Sequence, residues 1–315
     1  MDHPTSARPG AVPVEGLTVD GTSVPAPPNE NQEVPAEAGH GLPRSFRRPL
    51  AAARVFLRRP TARLRATPGF LIVGAQRSGT TSLYRYLTEH PAVAAPVRKE
   101  IQYFTLHYQR GDGWYRAHFP VAGRGRQTFE ATPYYLFHPG APSRAASTVP
   151  EAKVIALLRD PVARAFSQWQ HNASRGVEQL GFEAAVDAEA ERLAGESERL
   201  VADPTYRSDA HRLWSYTSRG EYAQQLARWF EHYPREQVLV LRSEDLYEQP
   251  GPTYARVLQF LGLAPAELDA YPRYTRRASN ARMTDSARQR LSAHFRPHNE
   301  RLAALLGEDG WWDGA

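Results

Sequence analysis

The residues best suited to chemistry lie in a short loop between an apolar segment and a run of hydroxyl residues. Residues 70–73 are apolar and predict a buried strand, and a glycine-flanked loop follows from Gly74 to Gly79. Three hydroxyl residues, beginning at Thr80, then open a predicted helix. In this layout backbone N–H groups and a helix N-terminus converge on one point, which predicts a binding site for a phosphate-sized anion.

The spacing of this loop is similar to that of a Walker A loop, G-x-x-x-x-G-K-[ST], with one difference. Thr80 stands where that pattern has lysine, and the cation lies three residues earlier, at Arg77. A nucleotide kinase needs the lysine on the β- and γ-phosphates of ATP. The loop therefore argues against ATP and favours a different phosphate ligand.

A second set of residues suited to phosphate binding lies at 153–167. An apolar strand pattern ends at Arg159, Asp160 and Pro161 predict the start of a helix, and Ser167 follows about two turns later. Open α/β sheets bind ligands at the carboxyl ends of their strands, and a guanidinium group can capture a phosphate with two hydrogen bonds. Arg-Asp-Pro alone is more often a salt bridge with a helix cap. After a glycine-rich phosphate loop, it indicates a ligand with two separate phosphate groups.

These two motifs, in this order, resemble those of the sulfotransferases that use 3′-phosphoadenosine 5′-phosphosulfate (PAPS). Gly-Ala-Gln-Arg-Ser-Gly-Thr-Thr resembles the 5′-phosphosulfate loop of that family, and Leu-Leu-Arg-Asp-Pro-x-x-Arg-x-x-Ser resembles its 3′-phosphate motif. Residues 99–104, 107–115 and 129–135 are most similar to the heparan sulfate and related carbohydrate branch. The resemblance spans roughly residues 68–312.

The resemblance implies which residues contact the nucleotide. Two of them, Arg276 and Arg277, lie in an arginine-rich segment that matches a basic loop closing over the nucleotide in the family; a solvated arginine run is the alternative. The full set of implied contacts is Gln76, Arg77, Ser78, Gly79, Thr80, Thr81, Arg159, Ser167, Arg276 and Arg277.

The resemblance also implies two catalytic residues. Arg77 takes the place of the family's catalytic lysine and keeps its positive charge on the leaving group. Glu100 matches the general base that removes the proton of the acceptor hydroxyl. By residue type alone, Glu100 next to Lys99 would be a solvated charge pair. Arginine and the loop amides neutralise the leaving group, so no metal ion is expected.

The acceptor is less well defined by the sequence. Gln102 stands where heparan sulfate 3-O-sulfotransferases have histidine, and Ala131 stands where they have lysine. We therefore expect a small-molecule or carbohydrate acceptor with a hydroxyl, or less readily an amine, as the accepting group, and no nucleic-acid partner.

Two alternatives stay open: a P-loop kinase or NTPase that acts on a metabolite, and a catalytically inactive nucleotide-binding scaffold. The sequence leaves the oligomeric state unknown.

Composition narrows the class of protein further. The chain has 315 residues, a net charge of +5 and no cysteine, which excludes disulfides and thiolate metal sites. Of 39 lysines and arginines only Lys99 and Lys153 are lysines, a bias that suggests a GC-rich bacterial genome. No apolar run approaches the ~18 residues of a membrane span, and no signal peptide is recognised, so we expect a cytoplasmic protein.

The chain divides into three predicted parts. Residues 1–43 are rich in proline and poor in large apolar residues, which predicts disorder. Residues 44–67 form a basic, arginine-rich leader. Its part 44–65 either contacts a membrane surface or acidic partner weakly, or packs loosely beside the domain. Residues 68–315 form the predicted sulfotransferase domain.

Alternating strand and helix patterns predict an α/β fold in which helices cover both faces of a central parallel sheet, as in P-loop proteins. The predicted strands are 70–74, 127–131, 153–158 and 237–241, with a short one near 92–95. The predicted helices are 80–89, 111–119, 160–175, 182–200, 221–232, 252–262 and 284–306.

Overall fold

The architecture is that of a parallel α/β protein, seen in a computed structural model that describes residues 44–123, 125–274, 281–308 and 311–312. Five parallel strands pair in the order β2-β3-β1-β4-β5. They are β1 (Phe70–Gly74), β2 (Val93–Ala94), β3 (Gln127–Ala131), β4 (Lys153–Leu158) and β5 (Val238–Arg242). The predicted fold class and strands are confirmed, with bounds that differ by at most one residue.

Side chains of the central strands alternate between two apolar cores. Leu71 and Val154 point into a core that includes Leu226 and Trp229 of a covering helix, whereas Ile72 points into the opposite core. Every residue of β1 is buried, as expected where helices cover both faces of a parallel sheet. The sheet is thus a rigid support for the loops at its carboxyl edge.

Fourteen α-helices lie within the described residues. They are α1 (Arg44–Arg58), α2 (Thr80–Glu89), α3 (Tyr103–Leu106), α4 (Asp112–Arg116), α5 (Ala141–Thr148), α6 (Pro161–Ala173), α7 (Phe182–Asp187), α8 (Glu189–Leu193), α9 (Glu196–Ala202), α10 (Asp209–Leu213), α11 (Tyr222–Phe230), α12 (Ser243–Glu248), α13 (Pro250–Leu261) and α14 (Asp285–Leu306). Of these, α2 has the predicted bounds, and α6 begins at Pro161 with Asp160 as its cap. None of the described helices is long and apolar enough to span a membrane.

The prediction of one helix over 182–200 is wrong. Three short helices, α7, α8 and α9, occupy this stretch instead. Gly195 has a left-handed backbone conformation (φ 73°) between α8 and α9, which a continuous α-helix does not allow. The many polar residues of this stretch are typical of short helices at the surface of a domain.

The leader contacts the domain at several points. Helix α1 is followed by a 3₁₀ segment, Arg59–Leu64, that contains Pro60 near its start. Val55 is buried in the core, and Arg65 donates a hydrogen bond from Nη1 to the carbonyl oxygen of Phe119 at 3.0 Å. Residues 1–43 lie outside the described part of the chain. Their predicted disorder, and the boundaries at 44–67 and 68–315, stay predictions.

Candidate active site

The glycines that flank the loop after β1 are required by close packing. A Cβ added to Gly74 would lie 2.5 Å from Cβ of Leu136. Gly79 has φ 92°, and a Cβ there would lie 2.9 Å from the hydroxyl of Tyr247. Both contacts are shorter than real Cβ atoms tolerate, and the backbone at Gly79 is one that L-residues avoid. These glycines fix the path of the loop into α2.

The loop ends in polar groups that are available to a ligand. Helix α2 begins at Thr80, and no side chain caps its N-terminus. Ser78 is fully buried, and its Oγ has no hydrogen-bond partner in the described structure. A buried polar atom without a partner needs an explanation, and an oxyanion at this helix N-terminus would provide one. The residues present therefore fit the phosphosulfate group that the sequence predicts here.

Arg77 joins the two predicted phosphate motifs. Its Nε donates a hydrogen bond to Oγ of Ser167 on α6 at 3.1 Å. Arg159, which follows β4, donates from Nη1 to the carbonyl oxygen of Arg77 at 3.1 Å. Burial, and next the charge of Arg159, lower the pKa of Arg77 to about 10, so Arg77 stays protonated at neutral pH. Three predicted site residues thus form one positively charged cluster.

Glu100 lies in the segment between β2 and α3, beside the end of β3. Its backbone N–H donates to the carbonyl oxygen of Ala131, the last residue of β3, at 3.0 Å. The Glu100 side chain is 45% exposed, and its Oε1 accepts a hydrogen bond from Nζ of Lys99 at 2.8 Å. The charge pair considered for Lys99 and Glu100 therefore exists, and it leaves the carboxylate accessible to an acceptor.

His171, which the sequence analysis did not single out, lies on α6 with Ser167. Burial, and next the charges of Arg77 and Arg175, lower the pKa of His171 to about 4, against the opposing charge of Glu100. The charges of both predicted catalytic residues therefore act on His171, in opposite directions. The sequence could have pointed to His171 through its position in the predicted helix, four residues after Ser167 and so on the same helix face.

Glu130, a second carboxylate near the site, is buried. Its Oε1 accepts hydrogen bonds from the hydroxyls of Tyr135 at 2.5 Å and Thr132 at 2.9 Å, and its Oε2 accepts from Tyr115 at 2.7 Å. Burial raises the pKa of Glu130 to about 7, although these hydrogen bonds oppose the shift. Both carboxylate oxygens are thus occupied by the protein's own hydroxyls.

Gln76 contacts a buried arginine that the sequence analysis also missed. Arg219 donates hydrogen bonds to Oε1 of Gln76 and, from Nη2, to the carbonyl oxygen of Arg212 at 2.8 Å. Burial lowers the pKa of Arg219 to about 9. Arg219 therefore connects the predicted phosphate loop to helix α10, and the side-chain oxygen of Gln76 has a structural contact.

The basic segment before α14 is described only in part. Arg276 and Arg277 lie outside the described residues, so their nucleotide contacts stay predictions. The neighbouring residues approach the loop: the N–H of Tyr274 donates to Oγ of Ser82 at 3.2 Å, and Arg273 donates from Nη2 to the carbonyl oxygen of Tyr247 at 3.1 Å. The chain is thus led to the first turn of α2.

Comparison with known proteins identifies the class. The model of the sulfotransferase domain family matches residues 67–296, and the chain belongs to this family. A sulfotransferase structure from Alicyclobacillus acidocaldarius is 32% identical in sequence and superposes with a TM-score of 0.61. The match covers 78% of this chain and 98% of that structure. The family uses PAPS, and this chain is a PAPS-dependent sulfotransferase enzyme.

Several curated relatives act on heparan sulfate, according to their names. Heparan sulfate glucosamine 3-O-sulfotransferase 6 of Mus musculus is 29% identical, over 79% of this chain and 75% of the relative. The bifunctional heparan sulfate N-deacetylase/N-sulfotransferase 3 of Homo sapiens is 31% identical, over 77% of this chain but only 30% of the relative. The membrane-associated sulfotransferase kil1 of Dictyostelium discoideum is 27% identical, over 79% of this chain and 67% of the relative.

Proposed function

We propose that the cluster of Arg77, Arg159 and Ser167 divides the nucleotide between two anion sites. The loop amides, Ser78 and the first turn of α2 bind the 5′-phosphosulfate, and Arg159 with Ser167 binds the 3′-phosphate. The observation that carries this proposal is the 3.1 Å hydrogen bond from Arg77 to Ser167, because it holds the two motifs side by side. We also propose Arg276 and Arg277 as nucleotide contacts.

We propose Arg77 and Glu100 as the catalytic residues. PAPS, when bound, supplies the sulfuryl group. The guanidinium of Arg77 stabilises the negative charge that develops on the 5′-phosphate oxygen as its bond to sulfur breaks. Glu100 takes the proton of the acceptor hydroxyl, whose oxygen forms the new bond to sulfur. Arg77, Arg159 and the loop amides supply the positive charge for this step, so we propose it without a metal ion.

Glu100 is favoured over Glu130 by accessibility. The Glu100 carboxylate is 45% exposed and bonded only through one oxygen to Lys99, whereas both oxygens of Glu130 accept hydrogen bonds in the core. A base must reach the proton that it removes. We therefore assign Glu130 to packing and orientation of the aromatic residues around it.

The proposed acceptor is a carbohydrate or small molecule with a free hydroxyl. Relatives named for glucosamine 3-O-sulfation and N-sulfation support a sugar, and both hydroxyl and amine acceptors occur among those names. The side chain of Gln102, however, contacts helix α3, which follows it: its Oε1 accepts a hydrogen bond from Oγ1 of Thr105 at 2.9 Å. With Ala131 in place of lysine, the site lacks two groups that a carboxylated glycan would meet in the heparan branch.

The experiment that tests this function compares nucleotides by calorimetry. We expect purified protein to bind 3′,5′-adenosine diphosphate with a micromolar or lower Kd and to bind ATP with Mg²⁺ far more weakly. Labelled PAPS should transfer its sulfuryl group to an acceptor from a panel of glycans and hydroxylated small molecules. ATP binding without binding of the 3′-phosphorylated nucleotide would favour the kinase alternative. Nucleotide binding without transfer to any acceptor would favour the inactive scaffold.

A second, weaker contact is proposed for the leader. Leu50, Phe56, Leu57 and Leu64 are between 52% and 75% exposed, and the surrounding arginines leave this surface strongly basic. Apolar side chains with basic neighbours suit an anionic membrane surface. Sedimentation with vesicles of anionic or neutral phospholipid tests this contact, with Phe56→Ser/Leu57→Ser as the variant. We also propose a bacterial origin and a cytoplasmic location, which rest on composition.

A further inference from the structure

We propose that Glu221, His294 and His298 form a Zn²⁺ site that joins helix α14 to the start of α11. None of the three residues has a role in the proposed transfer chemistry. His294 and His298 are four residues apart on α14, so their side chains project from the same face of that helix. Glu221 directly precedes α11, which packs against α14.

The geometry of these side chains suits a transition metal ion. Oε1 of Glu221 lies 3.2 Å from Nε2 of His294 and 3.8 Å from Nε2 of His298. One ligand atom from each residue lies within 4.8 Å of the others. With zinc bonds of about 2.0–2.1 Å, the ligand atoms of a tetrahedral site are about 3.3 Å apart. Small side-chain rotations therefore complete three corners of a tetrahedron, and water supplies the fourth.

The chemistry of the ligands favours Zn²⁺ over Mg²⁺ or Ca²⁺. Two imidazoles and one carboxylate are a ligand set of zinc, whereas magnesium and calcium prefer oxygen ligands throughout. Gln224 donates a hydrogen bond from Nε2 to Oε2 of Glu221 at 2.7 Å, which fixes the carboxylate with Oε1 toward the histidines. Such support from a neighbouring residue is typical of metal ligands.

The surroundings of the three residues allow an ion to enter from solvent and to stabilise the position of α14. The side chains of Glu221 and His298 are each 17% exposed and that of His294 is 40% exposed, so the site is shielded on one side and open to solvent on the other. Tyr222, the next residue after Glu221, donates its hydroxyl to the carbonyl oxygen of Arg159 at 2.8 Å. A metal ion here would hold α14 against the part of the fold that carries Arg159, the residue proposed to bind the 3′-phosphate.

Zinc titration of the untagged full chain, first treated with EDTA, tests the proposal. We expect calorimetry to show one Zn²⁺ per chain. At a free Zn²⁺ concentration of about 100 times Kd, the Tm should rise by about 5 °C or more, because the ion binds only the folded chain. Co²⁺ in place of zinc should give the intense visible absorption of a tetrahedral site. His298→Ala and Glu221→Gln should each weaken binding by at least about 10-fold.

A matched control separates this site from the other histidines. His232→Ala removes an exposed histidine just after α11 and should leave zinc affinity and the zinc-induced rise in Tm unchanged. Glu221→Gln keeps the size of the side chain, so its Tm without zinc reports whether the variant is folded. The proposal is overturned if the wild-type chain binds no zinc. It is also overturned if His298→Ala and Glu221→Gln bind zinc as the wild type does, because binding would then be adventitious.

Discussion

Arg77 and Ser167, 90 positions apart in the chain, are joined by a 3.1 Å hydrogen bond between Nε and Oγ. The bond connects the loop after β1 to helix α6 and so holds the two proposed anion sites next to each other. It also orients the guanidinium of Arg77, which is largely buried. The catalytic proposal depends on this orientation, because charge stabilisation requires donors fixed before the reaction begins.

We predict that Ser167→Ala weakens binding of 3′,5′-adenosine diphosphate by about 10-fold and lowers turnover. The variant removes both the acceptor that orients Arg77 and a hydroxyl for the 3′-phosphate, and a hydrogen bond to a charged group contributes about 1.5–3 kcal/mol. Calorimetry and the transfer assay measure the two effects. Ser147→Ala, which removes an exposed hydroxyl on α5, is the control. Unchanged affinity in Ser167→Ala would contradict the shared role of Ser167.

We predict that Glu100→Gln abolishes most turnover and leaves nucleotide affinity nearly unchanged. Loss of a positioned base lowers the rate by about 10²–10⁴-fold, whereas the phosphate contacts are made by other residues. Single-turnover kinetics with labelled PAPS measures the rate, and calorimetry measures the affinity. Glu89→Gln changes an exposed carboxylate at the end of α2 and should have no effect on either. A Glu100→Gln enzyme with full activity would refute the assignment of the base.

We predict that Gly79→Ala destabilises the protein more than Gly176→Ala. Both glycines have positive φ, 92° and 69°, so both variants incur the backbone cost of about 1–2 kcal/mol. Only at Gly79 does the new Cβ also meet another group, the hydroxyl of Tyr247, whereas the space around Gly176 is open. Urea unfolding of the two variants measures the difference. Equal losses of stability would show that Tyr247 moves aside freely.

We predict that His171 contributes to acid sensitivity. Burial lowers its pKa to about 4, below the value of about 6.5 in an unfolded chain. Between these pH values the unfolded chain binds the extra proton, so the free energy of unfolding falls as the pH is lowered from 6.5 to 4.

The His171→Gln variant measures this contribution. It should remove up to about 1.4 kcal/mol per pH unit of that slope, as measured by urea unfolding at several pH values. His232→Ala, which removes an exposed histidine, should leave the slope nearly as it is. Parallel curves for wild type and His171→Gln would contradict the lowered pKa.

The sequence predicted those parts of the fold and site that depend on local pattern. The strand, loop and helix around Gly79 follow from apolar runs and glycine spacing, and the position of Arg159 follows from the end of a strand. The contact between Arg219 and Gln76 could not be predicted, because the two residues are 143 positions apart and no periodic pattern links them. The break between α8 and α9 was missed because the surrounding residues favour helix, although Gly195 adopts a left-handed conformation there.

The central claim is that one nucleotide with two separate phosphate groups bridges the loop after β1 and Arg159. It is tested most directly by calorimetry of 3′,5′-adenosine diphosphate and adenosine 5′-monophosphate with wild type and Arg159→Ala. We predict that wild type prefers the 3′-phosphorylated nucleotide by at least about 10-fold and that Arg159→Ala loses most of this preference, since a charged hydrogen bond contributes about 1.5–3 kcal/mol. Arg116→Ala, at an exposed ion pair with Asp112, should keep the preference. Equal affinity of wild type for both nucleotides, or an undiminished preference in Arg159→Ala, would contradict the account.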